Sequence, residues 1–394
     1  MMQTMETDAT TVREPHLDRA DPVTSVRVRR WTASSAHDQH LYFTSPSVTA
    51  DGRWLPLISG RTGHPNLHVI DRLAGTIREV SRNRGGLLHG YVYPTGGTTG
   101  LAKGSPSLHA ASGRLVWIQD DALWTAFCGE ARAPQRVCAL PAGWWSGFTD
   151  ISGCGRYACL AVGQPEAFLD PADGQWSQMR AVLARFRQTP LVTRVMLIDC
   201  VAGMVVWDAA VPFWVTHVNV HPTDPDRVII NQEGGNVGQR VWRLWGRTGR
   251  IEPLFPQYLG EHVSHENWDP AGGSVVYHGW SGEPRTAYVE RRTWEGLLLQ
   301  RLEQPGLPIA HATFAPDGQR FVCDLHDRSK PGSADTIITW DLRDGQVRTL
   351  CRHGSSLRDQ DAHPHPRATP DGSGVVFTSD AEGSCNVYEV PLTG

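Results

Sequence analysis

No excess of positive charge marks this chain: 37 Lys and Arg stand against 41 Asp and Glu in 394 residues, for a formal net charge of −4. The basic footprint that nucleic acids and anionic membranes require is missing, so neither is expected as a partner. An anionic small substrate stays open, because a local cluster of Arg, His and metal suffices to hold one. The polar stretch 1–21 has no apolar run for a membrane span or a secretory signal, and we expect a disordered tail over residues 1–24 and a cytoplasmic protein. The eight cysteines form neither a CxxC pair nor a regular framework, which argues against a disulfide scaffold and reads as reduced thiols. GxSxG, P-loop, HExxH and dinucleotide fingerprints are absent as well.

What the chain does have is a repeat. A turn phrase of the type xDG recurs, best at Thr49-Ala50-Asp51-Gly52, Ala315-Pro316-Asp317-Gly318 and Thr369-Pro370-Asp371-Gly372. Weaker copies lie at Ala111-Ser112-Gly113, Ser152-Gly153-Cys154-Gly155, Pro222 to Asp226 and Asp269 to Gly272, which makes seven. Alternating β-rich runs separated by polar turns follow most of them, and periods of roughly 40 to 50 residues match propeller blades. Fifteen Trp and 40 Gly fit many short strands with tight turns far better than a helical bundle. The fold class predicted is all-β, a seven-bladed β-propeller spanning 25–394 with about four antiparallel strands per blade. The third copy carries an insertion near 167–187 that has a helical look, and the segment Trp31 to Thr44 is expected to lend a strand to the last blade and close the ring.

Aligned on the turn, four consecutive late copies have histidine five residues before its proline: His217, His265, His311 and His365. Repeat symmetry then puts all four around one mouth of the channel. The last copy adds His363, two residues before His365 in His363-Pro364-His365-Pro366, and strand geometry aims such a pair to one face. Gln360 lies just ahead. Imidazoles from facing elements with an amide oxygen are a common first-row metal set, and this mix suits Mn, Fe, Co or Ni as readily as Zn. A lone His in a β protein is ordinarily a surface or hydrogen-bonding residue, and His221, His262, His278, His326 and His353 are read that way. Four at one repeat position are not.

Three phrases resemble the oligogalacturonate lyases: Ser264-His265-Glu266-Asn267-Trp268, the run from Gln360 to Pro366, and the closing text from Phe377-Thr378-Ser379-Asp380 through Asn386-Val387-Tyr388. The opening blade, Ser59 to Gly63 with Asn66-Leu67, also fits. The resemblance implies a seven-bladed propeller that cleaves short oligogalacturonides by β-elimination, with a divalent metal, manganese, held by His265, Gln360, His363 and His365. It implies His217 as general base and Arg194 as the arginine that assists base or substrate, while Arg240 and His311 are assigned to substrate binding. A neutral imidazole with a pKa of about 6.5 suits proton abstraction near neutrality. Departures sit beside the base: Asn231-Gln232-Glu233-Gly234 stands where the family has Cys-His-Glu-Gly, and Val218-Asn219-Val220-His221 replaces an immediate Pro. A lyase for another uronide and a non-catalytic propeller scaffold are the competing readings.

Overall fold

The computed structural model describes residues 11–84, 100–102, 104–168, 175–234, 237–327, 335–358 and 360–392. Their strands form seven antiparallel sheets of four or five strands each, arranged as the blades of a propeller. The strands lining the channel are, in blade order, Asp38–His40, Ser107–His109, Trp145–Ile151, Val218–Val220, His262–Trp268, Ile309–Phe314 and Arg367–Ala368. Each of the seven turn phrases connects such a strand to the next one outward, so the repeat marks the same hairpin in every blade.

The core is distributed among the blade interfaces. Seven apolar clusters fill seven interfaces, for instance Val195, Leu197 and Trp207 of the third blade against Val228, Ile230 and Leu244 of the fourth. Alternation supplies both sides of a blade at once. In the strand Val275–Ser281, Val275 and Tyr277 pack toward the fourth blade, and Val276 between them packs toward the sixth. Close approach also constrains small residues here: a Cβ on Gly279 would lie 2.1 Å from the backbone oxygen of His262. We therefore expect Gly279→Ala to lower stability by about 1–3 kcal/mol, read as an earlier midpoint in denaturant melts.

Ring closure uses a different segment from the one expected. Arg27–Arg30 pairs with the C-terminal strand Asn386–Pro391, and Leu17–Ala20 pairs outside it, so the last blade takes two strands from the N-terminal end. Val12–Arg13 adds a fifth strand to the first blade. The tail expected over 1–24 is thereby corrected from residue 11 onward; residues 1–10 lie outside the described residues. Paired edges explain the use of these segments, since an open blade edge leaves backbone donors and acceptors unmet.

Within the segment expected to close the ring, Asp38–His40 is the innermost strand of the first blade, and Leu41 to Thr44 turns into the channel. The helical insertion is present as a short turn, Pro165–Phe168, and the helix Gln175–Gln188. Its Phe168 and Val182 cover Trp145 and Trp214, at the rim beside His217. No helix among the described residues is long and apolar enough to cross a membrane, and no disulfide joins the cysteines.

Candidate metal centre

The histidines of blades four to seven meet at one end of the channel. Ring centroids of His217 and His265 are 5.9 Å apart, those of His265 and His311 4.8 Å, and those of His311 and His365 4.3 Å. His363 completes the group at 5.3 Å from His311 and 5.5 Å from His365. Among the described residues, one nitrogen from each of His311, His363 and His365 lies within 4.8 Å of the others, and all three side chains are buried. His265 stands next to this triad.

Local backbone irregularities aim these rings inward. His265 sits in a bulge between Ser264 and Asn267 with φ of 45°, and the pairing register also shifts between Ile309 and His311. His365 has φ of 48° between two prolines. Left-handed backbone is costly for a residue with a Cβ and persists where its surroundings hold it. Here the Pro364 carbonyl accepts from the Thr378 N–H at 3.0 Å and from His40 Nε2 at 3.0 Å, while Thr313 Oγ1 donates to the Pro366 carbonyl at 3.3 Å. Burial pushes the His40 imidazole down to about 4, so it stays neutral, donating from Nε2 and accepting from Ser47 at Nδ1.

Two aromatic side chains from the channel segment pack against the rings. Phe43, fully buried, meets His265 edge-on at 5.0 Å and lies 5.3 Å from His311. Tyr42 packs on Phe148 and His365, and its hydroxyl is 3.4 Å from His217 Nε2.

Carboxylates behind the cluster fix which nitrogen faces it. Asp324, fully buried, takes His311 Nδ1 at 2.9 Å, which leaves the Nε2 side of that ring for the triad. Burial works against the Asp324 charge, but the neighbouring His311 overrides it and holds the carboxyl below its ordinary range. Glu266 takes His217 Nδ1 at 3.1 Å. Burial again opposes its charge, and the Arg240 guanidinium with the His217 hydrogen bond holds the carboxyl at about 2. His265 Nδ1 is 2.9 Å from His278 Nε2, and burial together with the cationic forms of His311 and His278 keeps His265 well below its ordinary value. Neutral imidazoles are what a cation needs. The donor set therefore fits a divalent metal: imidazole nitrogens in a dry pocket, with a carboxylate orienting one of them from behind.

Several expected residues sit elsewhere than foreseen. Arg194 lies on Thr193–Asp199, two strands out from the channel, where Asp208 binds its guanidinium and Trp144 lies 5.8 Å beneath it. Two strand spacings amount to roughly 10 Å. The arginine found beside His217 is Arg240, buried, with Nε 3.2 Å from Glu266 Oε2. His311, expected on substrate, joins the tightest triad, and His265 flanks it. Gln360 is on the 3-10 turn Gln360–Ala362 that leads into His363. Sequence reasoning gave no role to Tyr42, Phe43, His40, Glu266 and Asp324, whereas His278, read as a hydrogen-bonding residue, does bond His265. Glu266 adjoins His265 in a phrase already singled out, but nothing in the order of residues showed that it reaches His217.

No family model matches the chain. In sequence it is similar to the oligogalacturonide lyase of Pectobacterium atrosepticum, 24% identical over 212 residues that make up 50% of this chain and 54% of that protein. It is also similar to the oligogalacturonate lyase of Dickeya dadantii, 25% identical over 194 residues, 44% of this chain and 49% of that one. The chain thus spans about half the length of the curated relatives it matches. In fold it is similar, over 98% of both chains, to a solved oligogalacturonate lyase in complex with manganese, with a TM-score of 0.82 at 20% identity. The predicted architecture and the resemblance carried by the motifs are both borne out.

Proposed function

We propose that this propeller, a single catalytic unit that includes the N-terminal strands from Val12 onward, cleaves short oligogalacturonides by metal-dependent β-elimination and releases 4,5-unsaturated galacturonate products. The observation that carries the proposal is His217, backed by a buried carboxylate and stacked 5.9 Å from His265 on the wall of a histidine cluster fit for a cation. The cation, manganese by analogy with the solved relative, is assigned to the pocket bounded by His265, His311, His363 and His365, with Gln360 on the adjoining turn.

β-Elimination of a uronide removes the proton on C5, α to the carboxylate, and expels the O4 substituent. The C5 proton is barely acidic because a second negative charge builds on the carboxylate as it leaves. A bound divalent cation supplies Lewis-acid neutralisation of that charge. His217 takes the proton at Nε2, the nitrogen opposite the Glu266 bond. The Tyr42 hydroxyl lies against this nitrogen at 3.4 Å. Phe43 excludes water beneath the rings, which strengthens every electrostatic interaction above it. Arg240, assigned to substrate on the sequence, also supports the base through its ion pairs with Glu266 and Glu233.

Incubation with digalacturonate and Mn²⁺ is expected to raise absorbance in the conjugated-uronate band. No rise with any member of a uronide panel overturns the proposal. A second reading, the same chemistry on another uronide, is favoured by Asn231 to Gly234 standing behind His217 in place of the family phrase; a rise with a different panel member alone selects it. A cytoplasmic setting is proposed for a chain with eight free cysteines, six of them buried.

Asp324 offers a graded test of the metal assignment. Asp324→Asn removes the charge that orients His311 and is expected to weaken Mn²⁺ binding roughly 10- to 100-fold, as outer-shell partners of metal-bound histidines do. Calorimetric titration of the apoprotein with Mn²⁺ measures it, and unchanged affinity removes His311 from the shell.

A further inference from the structure

The two oxygens of Glu266 are both engaged, and by partners of different kinds. Oε1 faces His217 Nδ1 at 3.1 Å, and Oε2 faces Arg240 Nε at 3.2 Å. A guanidinium has donors and no acceptor, so the Arg240 contact fixes its oxygen as the acceptor. Arg240 is itself pinned from the other side by Glu233 at 3.9 Å. Glu233 is held by the Thr216 hydroxyl and by Asn231 Nδ2 at 2.9 Å, and Asn231 Oδ1 accepts the backbone N–H groups of Thr216 and His217 at 2.9 and 2.8 Å. The chain of contacts thus closes on itself. It begins at the His217 ring and returns to the His217 backbone, and every member is buried.

We propose that Glu266, clamped by Arg240, is the positioning residue that keeps the His217 proton on Nδ1 and the Nε2 lone pair turned to the channel. The inference rests on the reading of His217 as the base, which must offer an unprotonated Nε2 to the C5 proton. An imidazole with its proton on Nε2 presents a donor to substrate C5 and cannot accept from it. Carboxylate partners fix histidine tautomers in this manner in hydrolytic triads, where replacing the acid by its amide reverses the bond.

Glu266→Gln tests the proposal because Arg240 dictates the orientation of the new amide. Its oxygen must face the guanidinium, so its NH₂ is aimed at Nδ1. That nitrogen then becomes an acceptor and the proton moves to Nε2. Expected is a fall in kcat of roughly 10²- to 10³-fold with KM little changed, because the loss concerns the transition state only. Metal content is expected to be unchanged. The tautomer is read directly by ¹⁵N NMR of histidine-labelled, zinc-loaded protein, with His217 assigned by its loss in His217→Ala. The wild type is expected to show a protonated Nδ1 and Glu266→Gln a protonated Nε2.

A wild-type spectrum with the proton on Nε2 overturns the inference without any variant, and so does a Glu266→Gln protein whose tautomer and kcat match the wild type. Should no uronide be cleaved while the spectra switch as expected, the lyase reading falls and the positioning role of Glu266 stands.

Discussion

His217→Ala is expected to reduce turnover of digalacturonate by on the order of 10⁴-fold, the upper end of what a positioned general base contributes, while bound metal stays at the wild-type level. The side chain touches Tyr42, Phe148, Glu266 and the flank of His265, but it is outside the triad of closest nitrogens. Removing it deletes the proposed proton acceptor and leaves His311, His363 and His365 in place. Its backbone is secured independently by Asn231, so the strand Val218–Val220 keeps its place. Elemental analysis and the absorbance assay, run on one preparation, separate the outcomes. Loss of metal along with activity overturns the role assigned to His217, and retained turnover does the same.

His363→Ala is expected to do the reverse: the metal is lost first and activity goes with it. Deleting a ligand outright costs more than losing an outer-shell partner, so Mn²⁺ affinity is expected to fall by more than roughly 100-fold. The surroundings predict a folded protein, because the stretch around His363 is tied down by the contacts of Pro364, Pro366 and the Ala362 carbonyl, to which Ser355 donates. Parallel His265→Ala and His311→Ala proteins then rank the two remaining imidazoles. The structure puts His311 nitrogen nearest the pair, whereas the motif resemblance points to His265. Whichever substitution weakens binding further identifies the third ligand, and unchanged affinity in His363→Ala removes the metal centre from this end of the channel.

Much of the site was readable along the chain because a propeller turns sequence period into angle. Residues at one position of the repeat occupy one radius and one height, so His217, His265, His311 and His365 were bound to meet if the ring closed. The dipeptide step from His363 to His365 needed only the alternation of an extended strand. The radial place of Arg194 was not legible for a related reason: distance from the axis depends on which of four strands carries the residue, and Arg194 is on the third. The closing segment was expected about a strand too late, since pairing of Arg27–Arg30 with Asn386–Pro391 joins residues from opposite ends of the chain, and no local pattern specifies such a partner.

By itself, then, the order of residues determined the seven-fold repeat, the alternation that packs each blade on two neighbours, and the ring of histidines at one mouth. These are periodic properties, and periodicity survives in one dimension. Tertiary structure alone decided which acid stands behind which imidazole: Glu266 of the fifth blade behind His217 of the fourth, Asp324 behind His311, and Tyr42 and Phe43 of the first blade against rings from the fourth through the seventh. Apart from the Asp324–His311 pair, which faces across adjacent strands of the sixth blade, these contacts cross from blade to blade. They exist only once the ring has closed at a definite angle, and that angle is set by the bulk of side chains packed at all seven interfaces together.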